Sequence, residues 1–199
     1  MSGVVIASVV EGHGEVQGLP VLLRRIAAER HDCNALVSKP HRVPRGKMTH
    51  RPTELQAAVR LQAARLPDGG VLLVLADSDD DEPAQLADDL KQTVDGAAVG
   101  ARVAVAVAVK EYEAWFLAGV QSLRSHRSVL DDAAYAGDPE LPRSPKDKLA
   151  ALMVEPYGSV RHQPAFNALL DIDAAAERSP SFRRFLGAID AAIADALRA

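Results

Sequence analysis

Short, dominantly apolar runs at residues 3–10, 71–76 and 101–109 alternate with segments of helical periodicity, and that alternation constrains the chain most. Runs of this length with no polar residue but Ser8 and Arg102 suit strands buried on both faces of a parallel sheet. Leu19, Leu22, Leu23, Ile26 and Ala27 fall at the i, i+3, i+4, i+7, i+8 spacing of an amphipathic helix. Pro20 is expected in the first turn of that helix, where its missing N–H does no harm. A short strand is predicted at 34–38. Thr53 and Gln56 resemble a capping box for a helix that runs to about Leu66 and stops at Pro67-Asp68-Gly69-Gly70. A further helix starts at Pro83 and stacks Leu86, Leu90 and Val94. The reading is an α/β fold: a mostly parallel, doubly wound sheet of about four strands flanked by helices. In the run 101–109, valines and alanines alternate, so each type is expected on one face of a strand buried on both sides.

The strand signal ends after residue 119. Ser144-Pro145-Lys146-Asp147 reads as an N-cap and first turn, further helices are expected near Pro164 and at Ser179-Pro180, and the last stacks Phe182, Phe185, Leu186, Ile189, Ile193 and Leu197. This divides the chain into an α/β domain over 1–120 and a helical extension over 121–199 packed on it. At 199 residues and 48% hydrophobic, the chain can bury a substantial core. Cys33 is the single cysteine, which excludes an internal disulfide and a zinc-thiolate site. No apolar stretch nears the roughly 20 residues of a membrane span, and no basic signal segment opens the chain. The expectation is a cytoplasmic protein without a membrane partner.

Acids gather where the strands end. Glu11-Gly12-His13-Gly14-Glu15 follows the first run, Asp77-Ser78-Asp79-Asp80-Asp81-Glu82 follows the second, and Lys110-Glu111-Tyr112-Glu113 follows the third. Ligands of open α/β sheets bind outside the carboxyl ends of the strands, so these clusters are expected to converge on one crevice. Crowded carboxylates repel unless they share a cation, and Mg²⁺ prefers oxygen ligands and bridges carboxylates to phosphates. The bland alternative is that each acid simply meets the positive end of a following helix. Between the first two clusters, Lys39, Arg42, Arg45, Lys47 and Arg51 lie in a stretch without any acid, read as a loop. The net charge of −4 argues against nucleic-acid binding by the whole surface, but not by this stretch.

Gly12, Gly14 and Gly18 approach the dinucleotide fingerprint, yet Glu11 and Glu15 would oppose a pyrophosphate there without a metal. A P-loop and a Gly-x-Ser-x-Gly elbow are both absent from the sequence.

Val10-Glu11-Gly12-x-Gly14-Glu15, Asp77-x-Asp79-Asp80, Glu111-x-Glu113-Ala114-Trp115 and Ser179-Pro180-Ser181-Phe182-Arg183-Arg184-Phe185 together resemble a family of small bacterial TOPRIM-like proteins. That family is related to the overcoming-lysogenization-defect nucleases. The resemblance implies a Mg²⁺ or Mn²⁺ site in which Glu11 is the catalytic or metal-binding glutamate and Asp77 and Asp79 are the metal pair. Glu15 and Asp80 support them, Glu113 matches an acid of the nuclease-type members, and Lys110 is the cation beside the scissile phosphate. Arg42, Arg45 and Lys47 would contact phosphates of DNA or RNA, which positions a strand without reading its sequence. The function implied is a metal-dependent nuclease, a hydrolase of phosphodiesters, serving antiphage defence with an ATPase partner. Two readings of other classes stay open: a metal- or nucleotide-binding regulatory subunit without chemistry, and an interaction module whose acids serve only solubility.

Overall fold

The computed structural model describes residues 3–198. Five strands form one parallel sheet: β1 (Gly3–Val10), β2 (Asn34–Val37), β3 (His41–Arg42), β4 (Val71–Asp77) and β5 (Arg102–Ala108). The order is β2-β1-β4-β5, and β3 pairs with the carboxyl end of β1 through Val9–His41 and Val10–Arg42. The predicted α/β architecture with a helical C-terminal segment is therefore the one observed, with five strands instead of about four. β1 and β4 are central and pair from Ile6–Val71 to Val10–Leu75. Their near-complete burial explains why both read as dominantly apolar runs. β5 is an edge strand, and one expectation is corrected there. Ala104, Ala106 and Ala108 do face one core and Val107 the other, but Val103 is 41% exposed because it borders an open groove between α4 and β5.

Each face carries its own core. On one side, α1 (Glu15–His31) packs with α5 (Glu113–Ala118) and the C-terminal helices α6 (Pro145–Ala150), α7 (Ser159–Leu169), α8 (Ile172–Arg178) and α9 (Pro180–Leu197). On the other lie α3 (Pro52–Ala63) and α4 (Pro83–Val94). Trp115 centres the first core, with its ring centroid 4.9 Å from Phe185 and 5.1 Å from Phe182, and its Nε1 donates to Ser181 Oγ at 2.9 Å. The chain leaves β1 in one direction through α1 to β2, then recrosses on the opposite face through α3 to β4. The switch point thus falls between the carboxyl ends of β1 and β4, the usual ligand crevice of such sheets.

Several local expectations change. Pro20 and Pro164 both lie inside helices, not at their starts. α1 begins at Glu15 because the Gly14 carbonyl already accepts from the Gln17 and Gly18 amides at 3.1 and 2.8 Å. Close packing of α1 on α7 then holds both helices despite proline's cost. Thr53 caps nothing: α3 begins at Pro52, and no side chain caps it. The basic stretch is not a loop either. β3 and a short helix, α2 (Arg45–His50), occupy it because Val43 and Met48 are buried in the second core.

The caps read at Ser144 and Ser179 form, accepting from Asp147 N at 3.2 Å and Phe182 N at 3.1 Å. Ser179 Oγ also donates to Glu140 Oε1 at 2.5 Å, tying the long loop to α9. Ser179→Ala is expected to destabilise the protein by about 1–2 kcal/mol, the upper range for a lost cap because Glu140 loses one of its two donors as well and keeps only the Ser181 amide. A urea midpoint shift below a third of that would show that the cap is replaced locally.

Candidate functional site

Glu11 and Asp77 leave the adjacent ends of β1 and β4, and the other acids are brought to them by two devices. The first is the turn Glu11–Gly14, in which Glu15 Oε2 accepts the Gly12 amide at 3.0 Å, folding the Glu15 carboxylate back toward β4. The second is a cross-tie between the loops after β4 and β5. Ser78 N donates to Ala108 O at 2.8 Å, Lys110 N donates to Ser78 Oγ at 2.8 Å, and Asp79 N donates to Lys110 O at 3.0 Å. Asp79 and Lys110 both adopt left-handed backbone, with φ of 48° and 63°. Non-glycine residues take that conformation at a cost of order 1–3 kcal/mol, and such strain clusters at functional sites.

Glu11, Glu15, Asp77 and Glu113 face one another. Glu15 is 3% exposed and Glu113 5%, far below what unpaired carboxylates tolerate. Burial raises the Glu15 pKa to about 7, and the Glu113 and Glu11 charges push the same way against the Gly12 hydrogen bond. Asp77 is raised well above the usual range, first by desolvation and then by Glu15, Glu113, Glu11 and Asp79. Glu11 is raised too, by burial, against the opposing charge of Arg45. Asp77 Oδ1 is sealed from solvent and has no hydrogen-bond partner. On its buried side, Glu15, Asp77 and Glu113 thus form no ion pair with a cation, and only Glu11 meets one, Arg45.

α7 closes the cluster from behind. Gln163 Nε2 donates to Glu113 Oε1 at 3.3 Å, and Asn167 Oδ1 accepts from the Tyr112 hydroxyl at 3.1 Å. Gln163 Oε1, Asn167 Nδ2 and the Tyr157 hydroxyl are buried without partners. Burial raises the Tyr157 pKa, with Glu113 adding to it, so this phenol stays neutral. Gln163, Asn167 and Tyr157 did not stand out in the sequence. Gln163 and Asn167 lie four apart on one helix face, but the same spacing describes any polar stripe on a surface helix.

Arg45 is the cation at the open side. Its Nη1 lies 3.3 Å from Glu11 Oε2 and donates to the Asp77 carbonyl, and its Nη2 donates to Ser78 O at 3.1 Å and to Asp81 Oδ2. Its Nε stands 3.7 Å from Asp79 Oδ2. The other basic residues lie elsewhere: Lys47 pairs with Glu54 at 3.2 Å, and Arg42 sits in β3 with its Nε buried and unpartnered. Asp80 is turned outward, 83% exposed at its side chain and paired with Lys110 Nζ at 3.3 Å. Glu111 points away to accept from Lys146 N at 2.8 Å, which supports α6.

Gly14 and Gly18 have a packing role, in place of phosphate binding. A Cβ on Gly14 would stand 2.5 Å from Gln163 Cδ, and one on Gly18 would stand 2.8 Å from Gln163 Cβ and 3.2 Å from its carbonyl carbon. Their spacing of four puts them on one face of α1, where α7 approaches closely enough to set Gln163 against Glu113.

Among the described residues, no three histidine, cysteine, aspartate or glutamate side chains stand together as a ready metal-ligand set. The donor set nevertheless consists of carboxylate oxygens, which suits Mg²⁺ or Mn²⁺, and Asp77 Oδ1 has an unused ligand position. A groove of about 750 Å³ between α4 and β5, lined by Ala87, Lys91, Val103 and Ala188, includes none of these acids.

These features define an α/β protein with a buried carboxylate cluster at the switch point of a parallel sheet. By the match of residues 10–190 to its family model, the chain belongs to DUF4276, a domain of unknown function. Searches of curated proteins and of solved structures return no match. No helix of the described residues is long and apolar enough to cross a membrane.

Proposed function

We propose that this chain is a metal-dependent phosphodiesterase of the TOPRIM type, acting on DNA or RNA. The observation that carries the proposal is Asp77 Oδ1, buried without a partner among Glu11, Glu15 and Glu113 at the sheet's switch point. In this reading Glu11, Asp77 and Asp79 hold Mg²⁺ or Mn²⁺, and Glu15 supports them from the buried side. Bound there, the cation supplies neutralisation of the scissile phosphate and a water of lowered pKa. Glu113, held by Gln163, and Glu11 are the two candidate bases for the proton of an attacking water. In the same reading Lys110, paired with Asp80, would meet the phosphate, and Arg42 and Lys47 would steer the strand. The ATPase partner and the role in antiphage defence rest on the sequence resemblance alone.

Purified protein is expected to release nucleotides from single- or double-stranded DNA or RNA in Mn²⁺ or Mg²⁺, and Asp77→Ala to abolish release. Cation binding is also expected to stabilise the fold by about 2.7 kcal/mol at a hundredfold excess over Kd, read as a rise in melting temperature. That rise should disappear in the Asp77→Asn, Asp79→Asn double variant. An equal rise in both proteins refutes a site at these acids. Stabilisation without turnover on any substrate, with the ATPase present, would instead favour the regulatory subunit.

A further inference from the structure

The basic stretch and the acidic cluster are joined by a single side chain. Arg45 is the first residue of α2, and its side chain is largely enclosed by the acids it meets. The guanidinium touches Glu11, Asp79 and Asp81 together with the carbonyls of Asp77 and Ser78. It therefore reaches two of the three acids assigned to the cation, and the backbone of the third. The carboxylates behind it, Glu15 and Glu113, have no cationic partner, and Asp77 Oδ1 has no partner of any kind.

A divalent ion bound by Glu11, Asp77 and Asp79 would stand close to a fixed positive charge. Two cations at such a distance repel strongly where the surroundings are partly desolvated. Arg45 and the metal therefore compete for Glu11 and Asp79. The guanidinium also has an alternative partner, because its planar fork matches a phosphate as well as a carboxylate.

Resting on the cation reading above, we propose that Arg45 is the resident counter-ion of the acidic centre and couples phosphate binding to cation loading. Without substrate, the guanidinium neutralises Glu11 and Asp79 and weakens divalent binding. When a substrate phosphate arrives, Arg45 turns from the carboxylates to the phosphate and frees the ligands. Such coupling is reciprocal: whatever factor the anion adds to cation affinity, the cation adds to anion affinity. Arg45 is in this sense a positioning residue, acting through the ligands it releases.

The test is a calorimetric titration of Mn²⁺ into wild type, Arg45→Met and the charge control Arg65→Met, with and without sulfate as a phosphate analogue that leaves Mn²⁺ in solution. Arg45→Met is expected to bind Mn²⁺ at least about tenfold more tightly than wild type, from the loss of one nearby charge. Sulfate is expected to tighten Mn²⁺ binding in wild type and to lose that effect in Arg45→Met, while Arg65→Met behaves as wild type throughout. A merely structural arginine would give the opposite sign, since loosening the cluster weakens a metal site. Should Arg45→Met fail to fold by circular dichroism, Arg45→Lys carries the same prediction at smaller amplitude, because an ammonium cannot span Glu11, Asp81 and the Asp77 carbonyl together. Wild type that binds Mn²⁺ with Arg45 variants no tighter overturns the role of Arg45 and leaves the cation site standing. Absence of Mn²⁺ binding in every protein overturns both.

Discussion

With divalent ions removed by a chelator, the protein is expected to be less stable at pH 8 than at pH 5, with Glu15 contributing about 2 kcal/mol to the difference. The Glu15 carboxyl titrates near its ordinary value of 4.5 in the unfolded chain and at about 7 in the folded one. A raised pKa means that the native state holds the proton more tightly. The stabilisation is therefore fully present below about 4.5 and lost as the pH rises through about 7. The full shift converts to about 3 kcal/mol, of which about 2 kcal/mol falls between pH 5 and pH 8. Asp77 and Glu11 are displaced in the same direction and add to the effect. Because these carboxyls interact, unfolding reports titration of the set rather than of one member. Glu15→Gln keeps an acceptor for the Gly12 amide but removes the charge. It is expected to raise stability at pH 8 and to flatten the profile between pH 5 and pH 8. Urea denaturation at the two pH values measures both, and an unaltered profile in Glu15→Gln would sink the assignment. Saturating Mn²⁺ should flatten the wild-type profile in the same way if the cation replaces the protons.

Alanine at Gly14 and Gly18 together is expected to destabilise the protein by about 4 kcal/mol and to loosen α7 from the acidic cluster. Two effects oppose each other at these positions. At Gly18, inside the helix, alanine is favoured over glycine by about 1 kcal/mol, while Gly14 is the N-cap, where alanine has no such advantage; overpacking an interface costs up to about 3 kcal/mol per site. Overpacking wins here because the Gly18 Cβ would meet Gln163 Cβ at 2.8 Å and its backbone at 3.2 Å, atoms that cannot swing away. Gly187, exposed in the middle of α9 with nothing within 4 Å, supplies the internal control. Gly187→Ala should stabilise by about 1 kcal/mol, the opposite sign for the same substitution. Denaturation midpoints of the three variants decide the matter. A neutral Gly14→Ala, Gly18→Ala double variant would mean that α7 has room to retreat, and the Gln163–Glu113 contact would then not be set by these glycines.

What the sequence by itself determined is what depends on local pattern. The apolar runs of β1, β4 and β5, the spacing of Leu86, Leu90 and Val94, and the caps at Ser144 and Ser179 are fixed by periodicities of two and 3.6 and by one short hydrogen bond each. The convergence of acids on one crevice was legible for the same reason. Parallel strands deliver the residues just past their carboxyl ends to the same edge of the sheet, and the crossover that sets β4 beside β1 brings Glu11 and Asp77 together.

Only the tertiary structure decided what surrounds those acids. The fold of residues 41–50 depends on Val43 and Met48 finding the second core, and nothing in their spacing announces it. Arg45 reads as one of five cations in a row until α2 turns it onto Glu11 and Asp81. Pro20 and Pro164 are tolerated mid-helix, and Gly14 and Gly18 are needed, because of an approach between α1 and α7 that joins segments more than a hundred residues apart. Burial is likewise a property of the assembled molecule. The sequence places Glu15 and Glu113 near the crevice, but it is α7 that excludes water from them, and that exclusion raises the Glu15 pKa and leaves Asp77 Oδ1 without a partner.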